Sequence, residues 1–244
     1  MSNTHSEKAA LRGEPSYVWR AGQDRRMQMI RQAGAERCTG KVFEIGVGLG
    51  AYLSRLANDA EQAIGLDVEL ERSRAAHQHV DQVLCGVGEF LPFPENSFDL
   101  ILSNEVLEHV QDDFKSVQEM VRTLKPGGRM ILFCPNRGYP FETHGIYWRG
   151  KYKFGNIPLV NYLPERWRNK LAPHVRAYLS RQLKQRFAGL PVKIIQQEII
   201  FGAYDNIIER RPSLGKIIRA FLQFLEKTPL KVFGLSHFWV VEKL

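Results

Sequence analysis

Three groups of residues in this 244-residue chain have the types and spacing to do chemistry. The first is a glycine-rich run, Glu44-Ile45-Gly46-Val47-Gly48-Leu49-Gly50, with Asp67 further on. Glycines lack a Cβ, so such a turn can pass close beneath a ligand. The third glycine comes one residue earlier than in the GxGxxG dinucleotide pattern. An acidic residue two positions before the first glycine would also repel a pyrophosphate, and it suits a cationic ligand better. Asp67 ends a short apolar run, where a carboxylate can accept hydrogen bonds from both hydroxyls of a ribose. The second group is Glu105, Glu108 and His109, whose spacings of three and four make them neighbours on a helix. Carboxylates and an imidazole so placed could move a proton. The third lies in the run 136–144, NRGYPFETH, where His144 is a candidate general base and Glu142 a group to orient it.

These groups work together only if the chain folds them to one crevice, and the apolar pattern predicts such a scaffold. Short β-branched and aromatic runs at 41–45, 62–67, 82–85, 97–102 and 129–134 are predicted strands. Between them, residues 51–58, 69–79 and 105–124 are predicted helices, as are residues 16–33 ahead of the first strand. Strands alternating with helices give a parallel, doubly wound sheet, whose ligand crevice borders the carboxyl ends of the strands. Beyond Pro135 the rhythm breaks. Residues 136–173 read as irregular and aromatic, and 176–188 as a helix that Gly189 could cap. Residues 192–201 and 236–242 read as two strands paired to each other, and 207–231 as mostly helical, broken at Pro212.

Further strings follow the glycine run and Asp67 in order. They are Gly88-Glu89-Phe90-Leu91-Pro92-Phe93, Asn96-Ser97-Phe98-Asp99-Leu100, Asn104-Glu105-Val106-Leu107-Glu108-His109-Val110 and Leu124-Lys125-Pro126-Gly127-Gly128. Together they resemble the class I S-adenosylmethionine-dependent methyltransferases over residues 41–135. The fold this implies is α/β, a doubly wound, mostly parallel, seven-stranded Rossmann-like sheet with helical or irregular insertions after strands 5 and 6. Residues 1–40 would then be an N-terminal helical cap and 41–244 the methyltransferase domain, with 136–190 and 205–235 as substrate-side insertions. The resemblance implies S-adenosyl-L-methionine as cofactor. Gly46, Gly48 and Gly50 would pass beneath its methionine part, and Glu44 would help hold its ammonium. Asp67 would bind the ribose and Val68 pack on adenine, with Gly88 and Glu89 at the adenine edge and Asn104 near the methionine moiety. Arg20 could reach the cofactor's carboxylate. One departure is Val87, where the family commonly has an aspartate against the adenine amino group.

The Glu105–Val110 string is similar to that of the polyprenyl-catechol O-methyltransferases of ubiquinone synthesis, in which two glutamates and a histidine are associated with a divalent cation. Two carboxylates and one imidazole would suit zinc or manganese better than magnesium. The same residues could instead order a helix start, where acidic groups are favoured. The catalytic candidates are therefore His144, Glu105 and His109, and the metal is left open. The function this reading predicts is methyl transfer to a hydroxyl of a hydrophobic, lipid-linked or quinone-like small molecule. The alternatives are a non-catalytic cofactor-binding scaffold, a methyltransferase acting on nucleic acid and a nucleotide-dependent oxidoreductase.

Composition bounds the remaining choices. Hydrophobic residues make up 44% and charged residues 25%, which excludes whole-chain disorder. No run approaches the ~20 apolar residues of a membrane-spanning helix, and the first residues carry no secretory signal. Cys38, Cys85 and Cys134 are far apart and read as reduced thiols, which points to the cytoplasm. The net charge of +8 is unevenly spread. Residues 1–137 hold 16 Lys and Arg against 19 Asp and Glu, whereas residues 138–244 hold 18 against 7. A basic second half with interleaved aromatics, as in Trp148-Arg149-Gly150-Lys151-Tyr152-Lys153-Phe154, predicts contact with anions. Anionic lipid on the inner face of the membrane fits it. Nucleic acid fits less well, because no RNA-binding module or Asn/Asp-Pro-Pro-aromatic string is present.

Overall fold

The run Lys41–Ile45 forms β1, and it is apolar on both faces because both are covered: Val42, Phe43 and Ile45 are all buried. A computed structural model describes residues 19–244, the side chain of Asn206 excepted. Around β1 stand β2 (Gln62–Asp67), β3 (Gln82–Cys85), β4 (Phe98–Asn104) and β5 (Leu124–Pro135), paired in parallel in the order β3-β2-β1-β4-β5. The sheet continues through β11 (Ser236–Lys243) to the edge strand β10 (Val192–Ile200), both antiparallel to their neighbours. The seven-stranded, mostly parallel sheet expected from the sequence is the one found, including the pairing of the last two strands. Alternate residues serve opposite faces. On one face Phe43, Ile101, Leu132 and Trp239 pack with Val117 and Met120 of α4 (Asp113–Thr123). On the other Val42, Leu100, Phe133 and Phe238 pack with Met27 and Ile30 of α1 (Ala21–Gly34), and with Leu53 and Leu56 of α2 (Leu53–Leu56). A further helix, α3 (Leu70–Ala76), follows β2.

Several predicted boundaries move. The helix expected from residue 105 starts at Asp113. Asp112 caps it by accepting from the Lys115 amide at 2.9 Å, and Glu89 accepts from the Gln111 and Asp112 amides at 2.7 and 3.1 Å. Glu105 has φ +56, so the chain turns away after β4 before the helix begins. The helix expected over 176–188 shrinks to α6 (Ser180–Gln185). The segment expected to be irregular, 136–173, contains two small antiparallel pairs. One joins β6 (Phe141–Glu142) to β9 (Ile157–Pro158), the other β7 (Ile146–Trp148) to β8 (Lys151–Lys153), and α5 (Glu165–Leu171) follows. Between β10 and β11 run α7 (Asp205–Arg210) and α8 (Pro212–Leu225), divided at Pro212 as its sequence predicts. The part of the predicted N-terminal cap before residue 19 lies outside the described residues. No helix among those residues is long and apolar enough to cross a membrane.

Candidate active site

A cleft of about 960 Å³ opens at the carboxyl ends of β1 and β4 and is roofed by the insertions. It brings together Glu44, Gly46, Gly48, Asn104, Glu105, His109 and His144, seven of the residues singled out from the sequence. The glycine turn is shaped by necessity. Gly46 has φ +69, and a Cβ there would stand 2.2 Å from a Val106 methyl. Asp67 ties the turn down: its Oδ2 accepts from the Gly48 amide and its Oδ1 from the Glu69 amide, both at 2.9 Å. Each oxygen keeps a lone pair for a further donor. Burial nevertheless raises the Asp67 carboxyl above its ordinary value.

Glu44 is 3% exposed, and its Oε2 has no hydrogen-bond partner. Burial pushes its carboxyl well above the usual range, and the charge of Asp67 adds to that. A buried, unpartnered carboxylate oxygen on the cleft wall is an acceptor waiting for a cationic donor. Val68 and Val87, 44% and 40% exposed, offer apolar surface just past the ends of β2 and β3. Glu44 on the cleft wall for an ammonium, with Asp67 for a ribose and Val68 for a base just outside the cleft's own lining, fit S-adenosylmethionine. Gly88 has a packing reason of its own, because a Cβ there would meet an Ile45 methyl at 2.5 Å. Glu89 is committed to the backbone ahead of α4, as described above. Gly50 sits with φ +80 just after the turn. Arg20 contacts Glu209 at 3.4 Å, whereas Trp19, Gln23, Arg25 and Arg26 from the same stretch line the cleft.

Arg26 was not foreseen, since nothing in local spacing sets it apart from the neighbouring arginines. Its guanidinium donates to Asn104 Oδ1 at 2.6 Å and Glu105 Oε1 at 2.7 Å, and lies 4.8 Å above the Phe133 ring. Ser236 Oγ donates to the same Glu105 oxygen at 2.8 Å. Burial works to raise the Glu105 carboxyl, but Arg26 and Ser236 outweigh it and hold the group below its ordinary value. Glu108 differs: burial and the Glu105 charge push it well above the usual range, and neither of its oxygens has a hydrogen-bond partner. Burial, aided by His144, pushes His109 down to about 3, so its imidazole is neutral. The trio expected for a cation, Glu105, Glu108 and His109, is thus divided by the Arg26 ion pair. Ligand atoms of Glu108, His109 and His144 instead lie within 4.8 Å of one another.

His144 stands on the cleft wall edge-on to His109, ring centroids 5.3 Å apart. Its Nδ1 is 3.1 Å from Glu142 Oε1, which also accepts from the His144 amide at 3.0 Å. Behind Glu142, Arg168 donates to Oε2 at 2.7 Å and to the Val175 carbonyl at 2.9 Å. Both charged groups are buried, each 2% exposed. Burial works against the Glu142 charge, yet His144 and Arg168 hold its carboxyl below the ordinary value. A carboxylate facing Nδ1 fixes the proton there and leaves Nε2 as the acceptor. Arg168 was also missed, because its partner is 26 residues away in the chain.

This fold and cleft are those expected of the class I S-adenosylmethionine-dependent methyltransferases, and comparison with known proteins supports the same class. Residues 43–132 match the family model described as methyltransferase domain. That part of the chain is a class I methyltransferase domain, and its cofactor is S-adenosylmethionine. A protein of Mycolicibacterium smegmatis described as a probable S-adenosylmethionine-dependent methyltransferase is 36% identical over 117 residues, 46% of this chain and 45% of the relative. The demethylmenaquinone methyltransferase of Corynebacterium urealyticum is 29% identical over 112 residues, 46% of this chain and 49% of its own. The chain spans about half the length of the curated relatives it matches. The crystal structure of an S-adenosylmethionine-dependent methyltransferase from Mesorhizobium loti superposes with a TM-score of 0.63 at 17% identity, over 91% of this chain and 98% of that one. At that identity it shows the fold alone.

Proposed function

We propose that the protein transfers a methyl group from S-adenosylmethionine to a hydroxyl of a hydrophobic, lipid-linked or quinone-like small molecule, with His144 as general base. The observation that carries this reading is the buried chain Arg168–Glu142–His144 ending on the cleft wall. Bound in the cleft, S-adenosylmethionine supplies an electrophilic methyl group on a sulfonium centre. Glu44 would hold its ammonium, Asp67 its ribose and Val68 its adenine. Because the transfer is an in-line displacement, positioning supplies most of the acceleration, up to ~7–11 kcal/mol of the barrier. A hydroxyl acceptor must also lose its proton, and Nε2 of His144 would take it while Glu142 steadies the imidazolium that results.

An apolar acceptor is supported by Tyr152, Phe154 and Phe201 on the cleft wall and by the quinone substrate in the name of the Corynebacterium relative. The test is incubation of the protein with methyl-labelled S-adenosylmethionine and fractionated cell extract. The expected result is label in the lipid and quinone fraction. Label in nucleic acid would move the acceptor to that class, and label in no fraction would leave a cofactor-binding scaffold. In parallel, H144A is expected to bind S-adenosylhomocysteine normally while losing turnover.

A further inference from the structure

The helix α8 carries apolar side chains on two sides, and only one of them faces protein. Inward, Gly215 lies so close to α7 that a Cβ there would stand 2.7 Å from Ile208 Cα, and Ile218, Leu222 and Leu225 are half-buried. Outward, Leu214, Ile217, Phe221 and Phe224 are 45, 67, 59 and 60% exposed. Their spacings of three, four and three align them as one stripe along the helix. A contiguous row of exposed large apolar groups marks a contact surface.

The charges beside the stripe have one sign. Arg210, Arg211, Lys216 and Lys227 are exposed at α8 and its two ends. The acidic groups of the same segment are engaged elsewhere: Asp205 with the Gly22 amide, Glu209 with Arg20 and Glu226 with Arg25. We infer that α8 is an interfacial anchor for an anionic lipid surface. Its stripe enters the boundary between headgroups and acyl chains, and its cations lie among the headgroups. Charge complementarity selects this occupant. A second copy of the chain would set cations against cations. An acidic protein surface would match the cations but would also need an apolar groove fitted to four protruding side chains, whereas anionic headgroups over acyl chains match both without one. The helix α7, which packs on α8 through Ile208, begins at Asp205 on the cleft wall, so the anchor adjoins the site. It rests on the proposed function only for its use, which is to bring a lipid-like acceptor to the cleft.

The experiment is co-sedimentation of the full chain with vesicles of phosphatidylcholine alone or mixed with phosphatidylglycerol, without cofactor or acceptor. Binding to the mixed vesicles is expected to be at least tenfold tighter, falling about fivefold for each cation neutralised, as in K216Q. Binding should also weaken with salt. The variant I217S/F221S/F224S alters only exposed side chains, so it should keep its affinity for S-adenosylhomocysteine, which shows that it is folded. It should bind mixed vesicles about a hundredfold more weakly. Equal binding to both vesicles, no binding, or unchanged binding by the triple variant would overturn the inference. So would a dimer that the triple variant abolishes in a protein that ignores vesicles. Because the vesicle assay involves no methyl transfer, it can fail while methylation of an extracted acceptor stands, and the reverse.

Discussion

Replacing Glu44 with glutamine should make the protein more stable and less able to bind its cofactor, and the two effects have one cause. Glu44 is buried with one carboxylate oxygen unpartnered, so the hydrogen bond it takes from the Leu53 backbone offsets only part of the cost of ionising it. Its carboxyl therefore stays protonated to higher pH in the folded chain than in the unfolded one. Between the ordinary carboxyl value and the raised native value, the folded state binds the extra proton. Stability then falls as pH rises, by about 1.4 kcal/mol per pH unit. Glutamine has the shape of the protonated acid and no charge to ionise. E44Q should match the parent protein at acid pH and pull ahead as pH rises, levelling off once Glu44 ionises. For a chain of this size ~1 kcal/mol moves Tm by about 2–4 °C, so the gap should open by roughly 3–6 °C per pH unit within that window.

Binding should change the opposite way. An ammonium beside Glu44 provides the missing partner and draws the carboxyl into its ionised form. Losing a hydrogen bond between charged groups costs about 1.5–3 kcal/mol, so E44Q should bind S-adenosylhomocysteine roughly 10–150-fold more weakly. The parent protein should release a proton on binding and bind more tightly as pH rises, whereas E44Q should show neither. Calorimetry in buffers of different ionisation enthalpy and thermal melts across the same pH range read both effects. A variant that binds as well as its parent, or a Tm gap that ignores pH, would refute the reasoning.

The other predictions concern the turn, the base and the three converging ligand atoms. D67A frees the Gly48 and Glu69 amides and removes the ribose acceptor, so cofactor binding should be undetectable by calorimetry and Tm should fall. H144A should retain binding and lose about 10²–10⁴-fold in turnover, with E142Q between it and the parent; full turnover by H144A at every pH would remove His144 as base. Chelator-treated protein should keep its turnover and added zinc should inhibit it. Zinc held by Glu108, His109 and His144 would occupy the nitrogen that must take the proton. Loss of activity on chelation, restored by zinc, would make the site a metal centre instead.

How much of this was legible in the sequence depended on distance along the chain. The sheet was, because strands such as Lys41–Ile45 and Phe98–Asn104 are short runs rich in β-branched, aromatic and leucine residues. The glycine turn was legible for the same reason: Gly46, Gly48 and Asp67 act within one β-α-β unit. The start of α4 was misplaced because Val106, Leu107 and Val110 keep a helical spacing while serving a turn. What decides the boundary is Glu89, more than twenty residues earlier, which captures the Gln111 and Asp112 amides. Arg26 and Arg168 were invisible because an arginine's role depends on the carboxylate it meets. Glu105 and Glu142 are 79 and 26 residues away from them.

The same long-range pairs decide among the catalytic candidates. Glu105, His109 and His144 all border the cleft, and by residue type any of them could accept a proton. Arg26 and Ser236 hold the Glu105 carboxyl below its ordinary value and both bind its Oε1, making it a weaker base than a free carboxylate. His109, pushed down to about 3, is weaker than an ordinary imidazole by several orders of magnitude, and burial with the Glu105 charge pushes the neighbouring Glu108 well above the usual carboxyl range. Of the three, His144 alone combines a carboxylate on Nδ1 with an Nε2 free to accept, and only its carboxylate is anchored in turn by a buried guanidinium. A proton taken there gains the Glu142 charge as its counterion, whereas a proton taken by His109 would gain none within hydrogen-bonding reach. For the hydroxyl acceptor proposed above, this geometry favours proton transfer to the insertion that follows β5 over transfer to the residues after β4.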